Sequence, residues 1–131
     1  MSIKSIKRLV YFLLIIISSS TYVVAQTTHV TITYYMPVKA QTNSQPHITS
    51  DGSKINLHHL KYKQIKWCAI SRDLLYLFPK GKPKRIWIQG FGVWEVRDVM
   101  HKRMKHHVDL LIHPQTKNYS NKYNVKIKIL K

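Results

Sequence analysis

Asp98 and Asp109 stand eleven positions apart in the stretch "RDVMHKRMKHHVDLLI" (97–112), and between them lie Lys102, Arg103, Lys105 and three histidines. The chain of 131 residues carries five acidic side chains against 22 lysines and arginines. Two carboxyl groups within one stretch can neutralise a basic surface, or they can act as a general acid and its partner. The pattern "HVDLLI" alternates with period two, so His107 shares a strand face with Asp109 while His106 and Val108 point away. Flanking Val108 and Leu110 argue for burial, which raises an aspartate above its free value of ~3.9, and a charged Asp98 nearby raises it further. A cation within ~4–6 Å works the other way, and His107 is the residue placed to tune Asp109.

The remaining reactive types are read more plainly. His101, His106, His107 and His113 match no zinc-ligand spacing and lie among lysines and arginines that repel a cation, so neither metal nor cofactor is expected. Cys68 is the single cysteine. Within "KWCAI" it reads as a small buried hydrophobe, and no intramolecular disulfide can form. Trp67, Trp87 and Trp94 fall within strand patterns, where packing or a wet sheet face is the default. Tyr34 and Tyr35 are adjacent, so one must face outward.

The elements that have to position these residues are short strands. Period-two alternation marks 29–35, 84–89, 92–97, 107–112 and 124–130, and "KWCAI" (66–70) adds a sixth, more fully buried strand. In the last of the five, Val125, Ile127 and Ile129 face one way and Lys126 and Lys128 the other. "PVKAQTNSQPHITSDGSK", "FPKGKPK" and "QGFG" are loops or tight turns. "SRDLLYLF" (71–78) forms a short helical turn with Ser71 as its cap. Six short strands without a long amphipathic helix point to a small closed barrel, since closure removes exposed edges.

Lys4, Lys7 and Arg8 precede the apolar run Leu9–Ile17 and then "SSSTYVVAQ", the layout of a secretory leader cut after Ala25. The apolar core is far shorter than the ~20 residues that span a bilayer, so no transmembrane anchor is expected once the leader is removed. Residues 26–131 then make one domain. Setting Lys4, Lys7 and Arg8 aside leaves 19 basic against five acidic residues, a net charge of +14. That charge implies anionic partners. In an exported chain, whether periplasmic, outer-membrane-associated or extracellular, the anions at hand are envelope polymers and not nucleic acid.

Taken in order, "TYYMP", "ITSDGSKI", "CAISRDLLYLFPKG", "IWIQGFGVWEVRDVM", "HHVDLLI" and "VKIKIL" resemble the 3D domain. This double-psi β-barrel family is named for three aspartates and occurs in exported cell-wall enzymes related to membrane-bound lytic transglycosylase A and stationary-phase-survival-type muralytic proteins. The resemblance covers nearly all of 26–131 and implies an all-β fold, a small six-stranded double-psi β-barrel with short helical turns. It assigns Asp109 as the catalytic acid, Asp98 as its groove partner, and Thr49, Asp51 and Lys54 to the groove border, with Asp73 and His107 as further candidates for substrate contact. The family's first aspartate follows an Ala-Val or Ala-Ile pair directly; here Ser71 fills that place and Asp73 comes two residues later. The family's glycine-rich loop after the middle aspartate is here the glycine-free "VMHKRMKHH".

The resemblance further implies a substrate, the peptidoglycan glycan strand, and a reaction that needs one carboxyl group. Glycosidases ordinarily employ two. A lytic transglycosylase takes the C6 hydroxyl of N-acetylmuramic acid as nucleophile, so one aspartic acid can protonate the leaving oxygen and then accept the hydroxyl proton. The alternative from another class is a non-catalytic barrel that grips anionic wall polymers through its basic surface, its aspartates being structural.

Overall fold

A computed structural model describes residues 26–131 of the protein, so the leader and cleavage point expected from the sequence lie outside the described residues. Six strands form: β1 (Thr27–Tyr35), β2 (Trp67–Ile70), β3 (Arg85–Ile88), β4 (Gly92–Val99), β5 (His107–Leu111) and β6 (Lys122–Leu130). They close into a barrel in the order β1-β5-β2-β4-β3-β6. The six-stranded double-psi barrel with short helical turns expected from the sequence is therefore the fold.

Two pairs are parallel, β1 with β5 and β2 with β4; the other four are antiparallel. Parallel neighbours cannot be joined by a tight hairpin. β5 lies between β1 and β2, so the long segment joining those two passes over the outer face of the barrel, where it contains the helix α1 (Leu57–Lys61). This helix has no counterpart in the sequence reading. It is a single turn stabilised by Asn56, whose Oδ1 accepts from the His59 amide at 3.0 Å, and five residues are too few to show a period.

Alternation along the strands separates two apolar layers. Val30, Ile32, Cys68, Ile70, Ile86, Ile88, Val108, Leu110, Ile127 and Ile129 fill the barrel, joined by Leu74 and Phe78. Burial pushes the Cys68 thiol far up and removes it from chemistry. On the outer side, Tyr35, Ala69 and Leu111 pack against Ile55 and Leu60 from the crossing segment. Between β3 and β4, Gly90 and Gly92 both adopt left-handed φ (82° and 80°), which lets the hairpin turn tightly. No helix among the described residues is long and apolar enough to cross a membrane.

Because Ile88 is wholly enclosed while Val93 is 45% exposed on the next strand, the two positions should respond very differently to truncation. Ile88→Ala is expected to lower the unfolding free energy by about 2–5 kcal/mol, and Val93→Ala to change it by less than about 0.5 kcal/mol, measured by urea denaturation.

Candidate functional site

Four neighbouring strands carry one transverse row of outward-facing residues. Thr33 of β1 lies opposite Asp109 of β5, Asp109 opposite Ala69 of β2, and Ala69 opposite Asp98 of β4. The two aspartates thus flank a methyl group, with their backbones two strand spacings, roughly 10 Å, apart. Asp98 reaches this row through a β-bulge. Cys68 pairs with Val96 but Ala69 pairs with Asp98, so Arg97 is an extra residue. A bulge reverses the facing of whatever follows it. Without it Asp98 would share the inner face with Val96.

Asp109 is half-buried beneath this face. Its Oδ1 accepts from the Thr33 hydroxyl at 2.8 Å, and the same hydroxyl lies 3.1 Å from His107 Nε2. An ionised carboxylate can only accept, so Thr33 gives its proton to Asp109 and has its lone pairs free for an Nε2–H of His107. Burial raises the Asp109 carboxyl above the ordinary aspartate value; the Thr33 bond and the His107 charge pull it down, and the charge of Asp98 pushes it up. The net direction is upward. Its cover differs from the sequence expectation, because Val108 and Leu110 point into the barrel and the enclosure comes from the outer layer.

Asp98 is held differently. One oxygen accepts from the Ser50 amide at 3.1 Å and from the Val99 amide at 2.9 Å. Both aspartates line one cleft of about 510 Å³, walled by the crossing segment and by the loop after β4, a size usual for small-ligand sites. Tyr35 lines it as well. Its hydroxyl is buried and approaches Asp98 without forming a full hydrogen bond, and burial first, then the charges of Asp98 and Asp109 and the approach to Asp98, keep it protonated. A buried donor held this loosely can turn to an incoming acceptor. Thr33 and Tyr35 were not singled out as site residues from sequence. Their place beside Asp109 follows from a parallel pairing across 76 positions, which no local pattern encodes.

The other sequence candidates serve the frame around the cleft. Thr49 is buried and donates to Asp51, which also accepts from the Ser53 amide and pairs with Arg97 at 3.6 Å. Burial alone would raise the Asp51 carboxyl, but the Ser53 and Thr49 bonds and the Arg97 charge outweigh it and lower it. Lys54 is exposed and outside the cleft lining. Ser71, fully buried, makes no cap bond; its Oγ accepts from the His107 amide and its own amide donates to the His107 carbonyl, each at 3.0 Å. Asp73 accepts from the amide of His106, which has a left-handed φ of 46°. Burial opposes ionisation of Asp73, and the Ser71 and His106 bonds more than offset it. Ser71 and Asp73 together pin the start of β5, hence His107 and Asp109. The tryptophans are half-buried, each with a cation over its ring: Arg97 on Trp67, Lys128 on Trp87 and Lys66 on Trp94.

Comparison with known proteins adds to the fold alone. No protein-family profile matches the chain, and no curated protein matches it. Among solved structures it is similar to the Streptomyces papain inhibitor, with a TM-score of 0.53 and 14% identity, over 85% of this chain and all of that one.

The raised Asp109 carboxyl means that the folded state holds its proton more tightly than the unfolded chain does. Its ionisation therefore costs stability above the folded pKa, and that cost disappears below the unfolded value of ~3.9. Asp109→Asn keeps an acceptor for Thr33 and removes the charge. Its thermal midpoint should exceed that of the wild type at pH 7, with the difference vanishing toward pH 3. Losses from Asp51 and Asp73 on acidification are common to both proteins and cancel.

Proposed function

We propose that the protein is a glycan-cleaving enzyme of the 3D-domain type, a peptidoglycan lytic transglycosylase with Asp109 as its acid and base. The observation that supports this most is the meeting of Asp98 and Asp109 in one open cleft, with burial and the Asp98 charge both favouring a protonated Asp109. A carboxyl group that keeps its proton nearer neutrality is what the first step needs.

In that step Asp109 gives its proton to the glycosidic oxygen as the C1–O bond breaks. Positive charge develops at C1, and the Asp98 carboxylate, fixed by two amides, lies across the Ala69 gap to stabilise it. The C6 hydroxyl of the same N-acetylmuramic acid then bonds to C1 and returns its proton to Asp109. The ring closes as a 1,6-anhydro sugar and no water is consumed. Thr33 orients the carboxyl oxygen, and the Tyr35 hydroxyl, only loosely engaged by Asp98, is a donor for a sugar oxygen. His107 sets the acidity of Asp109 by its charge.

The reading carries an exported wall location with it, and in the rival non-catalytic barrel the same cleft would only hold the polymer. Incubation with purified sacculi should release 1,6-anhydro-muropeptides, detected by mass spectrometry. Asp109→Asn should reduce that release at least ~10²-fold, the scale of a lost general acid. Absence of anhydro products from the wild type, or full activity in Asp109→Asn, would sink the proposal.

His107 provides a separate check. Activity should fall on the alkaline side as Asp109 loses its proton, and removing a charge that lowers the Asp109 pKa moves that limb upward. His107→Gln is expected to shift the alkaline limb of the pH–rate profile to higher pH. A shift in the opposite direction would remove His107 from this role.

A further inference from the structure

A second cavity, of about 400 Å³, lies at the end of the barrel where β1 and β5 finish and β2 and β4 begin. It shares no lining residue with the aspartate cleft. Its floor is apolar. Leu110 belongs to the barrel core, with Tyr34, Phe91 and Trp94 packed against it, and Ile65 and Leu111 come from the outer layer. The mouth of a β-barrel is a usual place for a ligand.

The rim is cationic. Lys61, Lys63, Lys66, Lys117 and His113 line it, and among the described residues no aspartate or glutamate does. Lys66 is half-buried beside the apolar floor. Its Nζ donates to the Phe91 carbonyl at 3.1 Å, and that carbonyl also accepts from Trp94 Nε1 at 3.1 Å. The ammonium stands 5.5 Å from the centre of the Trp94 ring. Gly92 leaves room for it, since a Cβ there would come within 3.3 Å of Nζ. An ammonium has three protons to donate, and Lys66 takes part in none of the ion pairs among the described residues. A cation half-buried against neutral partners lacks the compensation that an anion supplies.

Two details select the ligand. Every cation at the rim is a lysine or a histidine. Lysine meets phosphate as a point charge, whereas planar pairing with a carboxylate favours arginine. The rings of Tyr34 and Tyr119 pack on each other at 5.1 Å and 53°, so they leave no parallel slot for a flat base. A flexible chain fits such walls better than a planar ring.

We infer that this end of the barrel binds an anionic amphiphile, a single alkyl or acyl chain ending in a phosphate. The chain lies over Leu110, Phe91 and Trp94, and the phosphate meets Lys66, with Lys63 and Lys117 at the rim. The site is separate from the aspartate cleft and stands whether or not that cleft cleaves glycans.

Calorimetric titration with monomeric dodecyl phosphate tests this, beside dodecyl maltoside for the chain with a neutral head and inorganic phosphate for the head alone. Dodecyl phosphate should occupy a single site and bind about tenfold or more tightly than either. Lys66→Met should lower its affinity severalfold and leave dodecyl maltoside binding unaltered. The exposed pair Lys63→Gln with Lys117→Gln carries the same expectation where the thermal midpoint shows Lys66→Met to be unfolded. Lys102→Gln, exposed and outside the cavity, should bind as the wild type does, and so should Asp109→Asn. Equal affinity for the two chains, inorganic phosphate bound as tightly as the amphiphile, undiminished binding in the lysine variants, or an equal loss in Lys102→Gln would overturn the site. Binding to phosphatidylglycerol vesicles without binding of the monomer would overturn it too, in favour of adsorption through the whole basic surface.

Discussion

One additional residue in β4 sets the organisation of the molecule's outer face. Strand pairing requires that neighbours point the same way, and Arg97 breaks the count between Cys68 and Ala69. Before it, Val96 packs into the barrel; after it, Asp98 joins Ala69 and Asp109 outside. The bulged residue is itself bound, to Glu95 at 2.7 Å and across the Trp67 ring, and its carbonyl accepts from the Asp51 amide. The same interaction therefore aligns the acidic row and docks the loop that closes one side of the cleft. A bulge at such a position is a device for aiming a side chain.

The fold was largely legible because a half-buried strand writes its two faces into alternate residues. Ile127 and Ile129 are buried as their pattern requires, and His107 and Asp109 share a face as period two demands. Local patterns do not reveal where strands meet. The partnership of Thr33 with Asp109 depends on parallel pairing, and the outward turn of Asp98 depends on an irregularity that strict alternation contradicts. Ser71 was legible as a residue near a helical start, yet its buried hydroxyl serves β5 and not the turn it begins. Hydrophobic neighbours in sequence were a poor guide to the surroundings of Asp109, since on a strand they belong to the opposite layer.

The loop between β4 and β5 and the aspartates are two halves of one electrostatic arrangement. Had Arg72 and Arg103, which line the same cleft, paired with the carboxylates, Asp109 would be drawn toward its ionised form. Amides and a threonine hydroxyl occupy the carboxylates instead, leaving both signs of charge expressed within one cavity. Holding Asp109 half-buried costs the fold some stability at neutral pH, because the folded state resists its ionisation. Asp51 and Asp73, whose carboxyls are lowered by their partners, supply compensation from the surrounding loops.

The wide sequence separation within the acidic row has a kinetic meaning. Thr33 and Asp109 are 76 positions apart, and Ala69 and Asp98 must take their places between and beside them. Contacts this distant pay their loop-closure entropy late and form slowly compared with local ones. No fragment of the barrel holds the row, so the cleft comes into being only when most of the chain has found its register. A nascent chain therefore has no cleft, and whatever the cleft binds must wait until folding is nearly complete.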